Sequence, residues 1–138
     1  MTGLLLDTHV LLWANAAPER LGRNTVAEIT QIGSNLFVSA VTIGEIQAGI
    51  ELTREQDQTK AGEIETWLEQ LAASYNVLPM DASAFRAWAR LMHRKSDTLI
   101  EDAMIAATAR SNGLTVATRN VADFKALGVA VFNPFARM

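Results

Sequence analysis

The stretch from Thr98 to Asn120, TLIEDAMIAATARSNGLTVATRN, decides how this chain folds. Thr98-Leu99-Ile100-Glu101 matches a capping box, in which Glu101 reaches back to the amide of Thr98 and a helix begins. Small and apolar residues carry the helix onward, and Gly113 is a good left-handed stop. Leu114 to Thr118 then reads as a short strand, followed by a turn at Arg119-Asn120. Asp102 is what this reading leaves unexplained. It sits one residue deeper than the capping glutamate, among apolar and small neighbours, where Asp is a poor helix former. The helix dipole favours an acid so near the N-terminus, but capping does not account for it, and a functional role does.

Outward from this stretch, helix and strand signals alternate. Leu4-Leu5-Leu6 is a wholly apolar run ending at Asp7, as a strand buried on both faces reads. Thr8 to Ala14 continues as a helical turn or two, Asn24 to Ile32 as a short helix, and Leu36 to Ser39 as a second buried strand. Thr42 begins a helix through about Leu52, with Ile43, Ile46 and Ile50 at helical spacing. The polar segment Thr53 to Lys60 joins it to a longer helix, Lys60 to Tyr75. Val77-Leu78-Pro79 is a brief strand, and Asp81 or Ser83 opens a helix carrying Phe85, Trp88 and Met92. Val129 to Phe132 gives the last strand. This alternation predicts an α/β fold with a mainly parallel central sheet flanked by helices. Ligands bind such sheets beyond the carboxyl ends of the strands. Asp7 and Asn120 follow strands directly, and Glu45 follows one through a short loop.

The 138 residues fit a single domain, 1–138, with 49% hydrophobic and 20% charged residues, as an ordinary globular protein has. With no cysteine, any metal site must use oxygen or imidazole ligands. That favours Mg2+ or Mn2+ over structural zinc. The start lacks a basic leader and no apolar stretch approaches membrane-spanning length, so a cytoplasmic protein without a membrane partner is expected. A formal net charge of −3 argues against a bulk nucleic-acid coat but not against a nuclease, whose acids gather at a metal site.

Each candidate residue has a plainer reading. Asp7 is costly at the end of a buried strand unless paired, hydrogen-bonded or metal-bound, though it also suits the cap of the next helix. Thr42-Ile43-Gly44-Glu45 is another capping box, which would employ Glu45 structurally. Asn120 and Asp123 are ordinary turn residues. Taken together, three carboxylates from distant parts of the chain, each near a strand end or helix start, suit one or two divalent cations. Such cations hold a scissile phosphate, activate an attacking water and stabilise the leaving oxygen.

Five segments carry a family resemblance over nearly the whole chain. They are Leu5-Leu6-Asp7-Thr8-His9-Val10, Ser39 to Ile46, Asp102 to Ala109, Val116 to Phe124, and Val131-Phe132-Asn133-Pro134. In these the sequence resembles the PIN-domain nucleases, specifically the VapC-type toxins of bacterial toxin–antitoxin pairs. The resemblance implies a PIN-like three-layer sandwich and a magnesium- or manganese-dependent endoribonuclease. It further implies a cognate antitoxin seated in the active-site groove, and a homodimer. The family's first acid falls on Asp7, its helix glutamate on Glu45 and its third acid on Asp102. Its fourth acid often sits where this chain has Asn120, with Asp123 one helical turn further on. His9 stands where Asn is frequent, as a substrate contact or a structural imidazole.

On this reading Asp7 and Asp102 ligate the metal and Glu45 holds it through water or acts as general base. Asn120, with the Thr118 hydroxyl, orients a water or phosphate oxygen. For an RNA substrate, Arg119 is best placed to meet a phosphate. Arg86, Arg90 and Arg94, with His93 and Lys95, form either a phosphate-tracking stripe or a solvated helix face. Trp67, Leu68, Leu71, Phe85 and Trp88 are core residues or the lining of a groove for an antitoxin helix. Two other classes compete. A magnesium-dependent phosphoryl-transfer protein would want a second Asp where this chain has His9, or adjacent acids after the first strand. A non-catalytic module with a decayed site would explain Asn120 but not three retained acids.

Overall fold

The computed structural model describes residues 3–16 and 36–134. Five parallel strands, β1 (Leu4–Leu6), β2 (Leu36–Ser39), β3 (Asn76–Leu78), β4 (Thr115–Ala117) and β5 (Val131–Phe132), form one sheet in the order β3-β2-β1-β4-β5. The described helices are α1 (Thr8–Ala16), α2 (Ala40–Arg54), α3 (Gln58–Ser74), α4 (Ala82–Met92), α5 (Ile100–Ser111) and α6 (Val121–Ala126). A 3-10 turn, Asp97–Leu99, leads into α5. The helix expected over Asn24 to Ile32 lies outside the described residues. Among the described residues no helix is long and apolar enough to cross a membrane.

Successive side chains of a strand point to opposite faces, and β1 shows why its triplet is wholly apolar. Leu4 and Leu6 join one buried cluster with Val10, Leu11, Val38 and Leu71. Leu5 joins the cluster on the other face with Ile105, Ala106, Val116 and Phe124. Both faces are covered by helices, which makes the three-layer sandwich that the sequence predicts.

Where boundaries shift, local hydrogen bonds explain them. The helix expected from Thr42 starts at Ala40, because Ser39 Oγ accepts the amide of Val41 at 3.1 Å and caps it directly from β2. Asp81 caps α4, its carboxylate accepting the amide of Ala84. Asp57 does the same for α3 from the amide of Lys60. Leu114 is withheld from β4 because its amide still bonds the carbonyl of Ala109, across the left-handed Gly113 at φ 64°. Gly128, at φ 73°, closes α6 in the same conformation, so β5 begins at Val131 rather than Val129.

The chain order puts the topological switch point between β1 and β4. From β1 the sheet grows one way through β2 to β3 and the other way through β4 to β5. A crevice opens at the carboxyl ends of the strands flanking such a switch. Asp7 follows β1 and Thr118 follows β4.

Candidate active site

Asp7 is 7% exposed and Thr118 0%. The Asp7 amide continues the ladder to the carbonyl of Ala117. Its carboxylate accepts the amide of Thr8 at 2.6 Å on one oxygen and the Thr118 hydroxyl at 2.7 Å on the other. A buried carboxylate needs such donors. The two fix its orientation across the seam between β1 and β4. The Thr118 hydroxyl in turn accepts the amide of Asn120 at 2.9 Å. Fully buried, Thr118 is thus engaged on both sides, donating to Asp7 and accepting from Asn120.

Glu45 reaches the site through Thr8. Thr8 Oγ1 lies 3.0 Å from Glu45 Oε1 and 3.1 Å from the hydroxyl of the buried Thr42. The capping-box reading of Glu45 therefore fails: Thr42 is inside α2, and the glutamate turns away from its own helix start toward α1. The second capping box fails too. The amide of Thr98 is held by Ser96 Oγ at 3.3 Å, and the side chain of Glu101 bonds that of Glu45 instead. Burial, the bond from Glu101 and the nearby charge of Asp7 push Glu45 up to about 7, against a lowering contribution from Thr8.

Asp102 lies in the first turn of α5 and is half-buried. Burial first, then the charges of Asp7 and Asp123, push it up to about 6. The side-chain amide of Asn120 donates to Asp102 at 3.2 Å and to Asp123 at 2.8 Å. Asn120 thus ties the two acids together, and Asp123, in the first turn of α6, does reach the group.

The fold therefore gathers Asp7, Glu45, Asp102, Asn120, Asp123 and Thr118, all named from the sequence, and adds Thr8 and Glu101. Thr8 sits inside the segment Leu5 to Val10 that carried the resemblance, directly after the buried acid, which is the signal available for it. Arg119 is exposed beside Asn120, and Arg86 and Arg90 are exposed on α4. His9 is exposed on α1, so it is not a core imidazole. Phe85 is also exposed rather than core. Leu68 and Leu71 are core, and half-buried Trp67 packs against that core while also lining a groove of about 390 Å³ with Leu12, Ile46, Ile50 and Ile64. Thr8 and Glu45 form the acidic end of that groove.

Among the described residues no three of Asp, Glu and His form a ready cage for an ion. The carboxyls stand instead in linked pairs, in which burial and the charges of Asp7, Glu101 and Asp123 push Glu45 and Asp102 up. The donor set is nonetheless the one a hard cation takes, and Mg2+ is usually held by one or two carboxylates with waters filling the rest. A divalent ion beside Asp7 and Asp102 would relieve the repulsion that pushes Asp102 up.

An all-parallel α/β sandwich with carboxylates gathered at its switch point defines an acidic ligand site, and comparison with known proteins gives its family. The PIN domain matches residues 4–129. The VapC ribonuclease Y4jK of Sinorhizobium fredii is 36% identical, covering 96% of this chain and 97% of its own. The crystal structure of FitAcB from Neisseria gonorrhoeae superimposes with a TM-score of 0.76 at 30% identity, over 96% of this chain and 98% of that one. VapBC-5 of Mycobacterium tuberculosis, a member of the VapBC family of toxin-antitoxin systems, gives a TM-score of 0.62 at 28% identity, over 96% and 97%. The chain belongs to the PIN-domain family, among its VapC-type toxins.

Proposed function

We propose that this chain is a divalent-metal-dependent endoribonuclease, the toxin of a toxin–antitoxin pair. The observation that carries the reading is the convergence of Asp7, Glu45, Asp102 and Asp123 at the carboxyl end of the sheet, with Asn120 bridging the last two. Relatives named as VapC ribonucleases supply the substrate class.

In this reading Asp7 and Asp102 would hold Mg2+ or Mn2+, with Asp123 tied to Asp102 through Asn120. The cation supplies charge to bind the scissile phosphate and to ease deprotonation of water. Glu45, half-buried beside Asp7 and hydrogen-bonded to Thr8, would take the proton from the attacking water. Thr8 aims the Glu45 carboxylate, Thr118 locks Asp7, and Arg119 meets a phosphate oxygen. The resemblance to a toxin–antitoxin structure supports a cognate antitoxin, with Trp67 and the apolar groove beside Glu45 as its seat. The homodimer and the cytoplasmic location belong to the same proposal.

The test is a titration of purified protein with Mg2+ and Mn2+, followed by melting temperature, alongside RNA cleavage. Wild type should gain stability with either cation, and Asp7→Asn should lose both the gain and the cleavage while keeping its fold. A decayed binding module would show neither in wild type. A stable acyl-phosphate after incubation with a phosphodonor would instead favour the phosphoryl-transfer class.

A further inference from the structure

The acidic centre leaves one charged surface unused, on α4 and its exit. Arg86, Arg90, His93, Arg94 and Lys95 are all exposed. Four of the chain's 12 Lys and Arg fall in this short run, in a protein of net charge −3, and no acid lies between Asp81 and Asp97. Among the described residues the ion pairs are those of Arg54 with Glu51 and Glu65, so these four cations stand without acidic partners there.

Two further features accompany the charge. Phe85 is 46% exposed, an unusual place for a large aromatic. Its ring meets Trp88 edge-on, with centroids 6.2 Å apart, and Trp88 Nε1 donates to the carbonyl of Ile100 at 3.3 Å. That bond ties α4 to the start of α5, the helix whose first turn carries Asp102. Second, Arg94 has φ 63°, the only positive φ of a non-glycine residue among those described. Glycine enters that conformation without the steric cost an arginine bears.

A structural reason covers only part of this. Cations in a last helical turn interact well with the dipole, which accounts for Arg90. A solvated helix face holds Arg86, but neither reason accounts for exposed Phe85 or for an arginine where glycine would be less strained. The short link from α4 through the 3-10 turn to α5 places Arg94 and Lys95 at the end of α5 where Asp102 stands.

We infer that Phe85, Arg86, Arg90, Arg94 and Lys95 form a track for single-stranded RNA flanking the acidic centre, the cations meeting successive phosphates and Phe85 stacking on a base. The inference takes its occupant from the ribonuclease reading and deepens it, by giving the substrate a binding path outside the metal site. Combining basic side chains with an exposed aromatic is how proteins hold single strands without reading their sequence.

The experiment measures binding of a fluorescein-labelled single-stranded RNA of about 20 nucleotides, longer than the roughly 4–16 nucleotides that one OB fold covers. It is done by anisotropy in EDTA, where the proposed nuclease does not turn over. The combined variant Arg90→Gln, Arg94→Gly and Lys95→Gln should weaken binding about tenfold or more and lower the slope of log K against log salt by about 2, at about 0.7 per lost phosphate contact. Phe85→Ala should weaken it about fivefold or more with the slope unchanged. Arg94→Gly alone should raise the melting temperature while weakening RNA; a fall would assign Arg94 to the fold and remove it from the track. Unchanged affinity and slope in the combined variant overturn the inference. So does a loss confined to antitoxin binding, which would make this a protein-binding surface. Binding in EDTA is independent of cleavage. A wild type that binds through these residues yet cleaves nothing with Mg2+ loses the ribonuclease reading and keeps the track.

Discussion

Thr118→Val is the sharpest structural perturbation of the site, because it changes one buried hydroxyl and almost no volume. The hydroxyl is fully buried, donates to Asp7 at 2.7 Å and accepts the amide of Asn120 at 2.9 Å. Valine removes the first bond and leaves Asp7, itself 7% exposed, with the amide of Thr8 as its one hydrogen-bond donor among the described contacts. A hydrogen bond to a charged group contributes about 1.5–3 kcal/mol. Asn120 is exposed, so water can replace the lost acceptor for its amide at little cost. The expected loss is therefore about 2–3 kcal/mol, and at about 3 °C per kcal/mol for a domain of this size the melting temperature falls by about 6–9 °C. Thr118→Ser keeps the hydroxyl and should lose only about 1 kcal/mol, from the missing methyl. The assay is calorimetry or urea unfolding in EDTA, repeated with Mg2+, which should restore part of the loss by neutralising Asp7. Equal losses in the Val and Ser variants, or a Val loss below about 0.5 kcal/mol, would refute the claim that this bond holds the carboxylate in place.

The remaining predictions touch charge and backbone. Glu45 is pushed up to about 7 and Asp102 up to about 6, so both bind protons more tightly folded than unfolded. Their contribution to stability is full below about pH 4 and is lost as pH rises through 6 and 7; discounted for solvent screening, it is about 1 kcal/mol each in EDTA. A melting temperature in EDTA that rises over this window would contradict the coupling, and saturating Mg2+ should flatten the profile. Mg2+ affinity should increase between about pH 5.5 and 7.5 as the same carboxyls lose their protons. Gly113→Ala should cost about 1 kcal/mol, because φ is 64° while nothing lies within 4 Å of an added Cβ. An unchanged unfolding midpoint would show that the α5 exit relaxes around the substitution. Trp67→Ala should weaken antitoxin binding about tenfold or more while leaving cleavage near wild type, as measured by calorimetry against the antitoxin.

Much of this architecture was legible locally. An apolar triplet followed by Asp, a helix stopped by glycine and a short strand leading to Thr118 are patterns a few residues long, and each element formed, β4 one residue shorter at either end than expected. Asp102 stood out for the same reason, being a polar residue that no local rule employed. What failed was the reading of two S/T-x-x-E segments as capping boxes. That pattern looks identical whether the glutamate folds back onto its own helix or reaches across to another. Glu45 meets Thr8, 37 positions away, and Glu101 meets Glu45, so the deciding contacts lie outside any local window. Asn120 posed the same difficulty. As a turn residue it was unremarkable; as the donor joining Asp102 to Asp123 it depends on two helices arriving at one strand end.

Whether these acids form a metal-dependent ribonuclease centre is decided by RNA cleavage. Wild type and Asp102→Asn are each incubated with RNA in Mg2+, in Mn2+ and in EDTA. Wild type should cleave with either metal and not in EDTA, and Asp102→Asn should not cleave under any condition. Cleavage by wild type in EDTA, or undiminished cleavage by Asp102→Asn, would contradict this reading of the site.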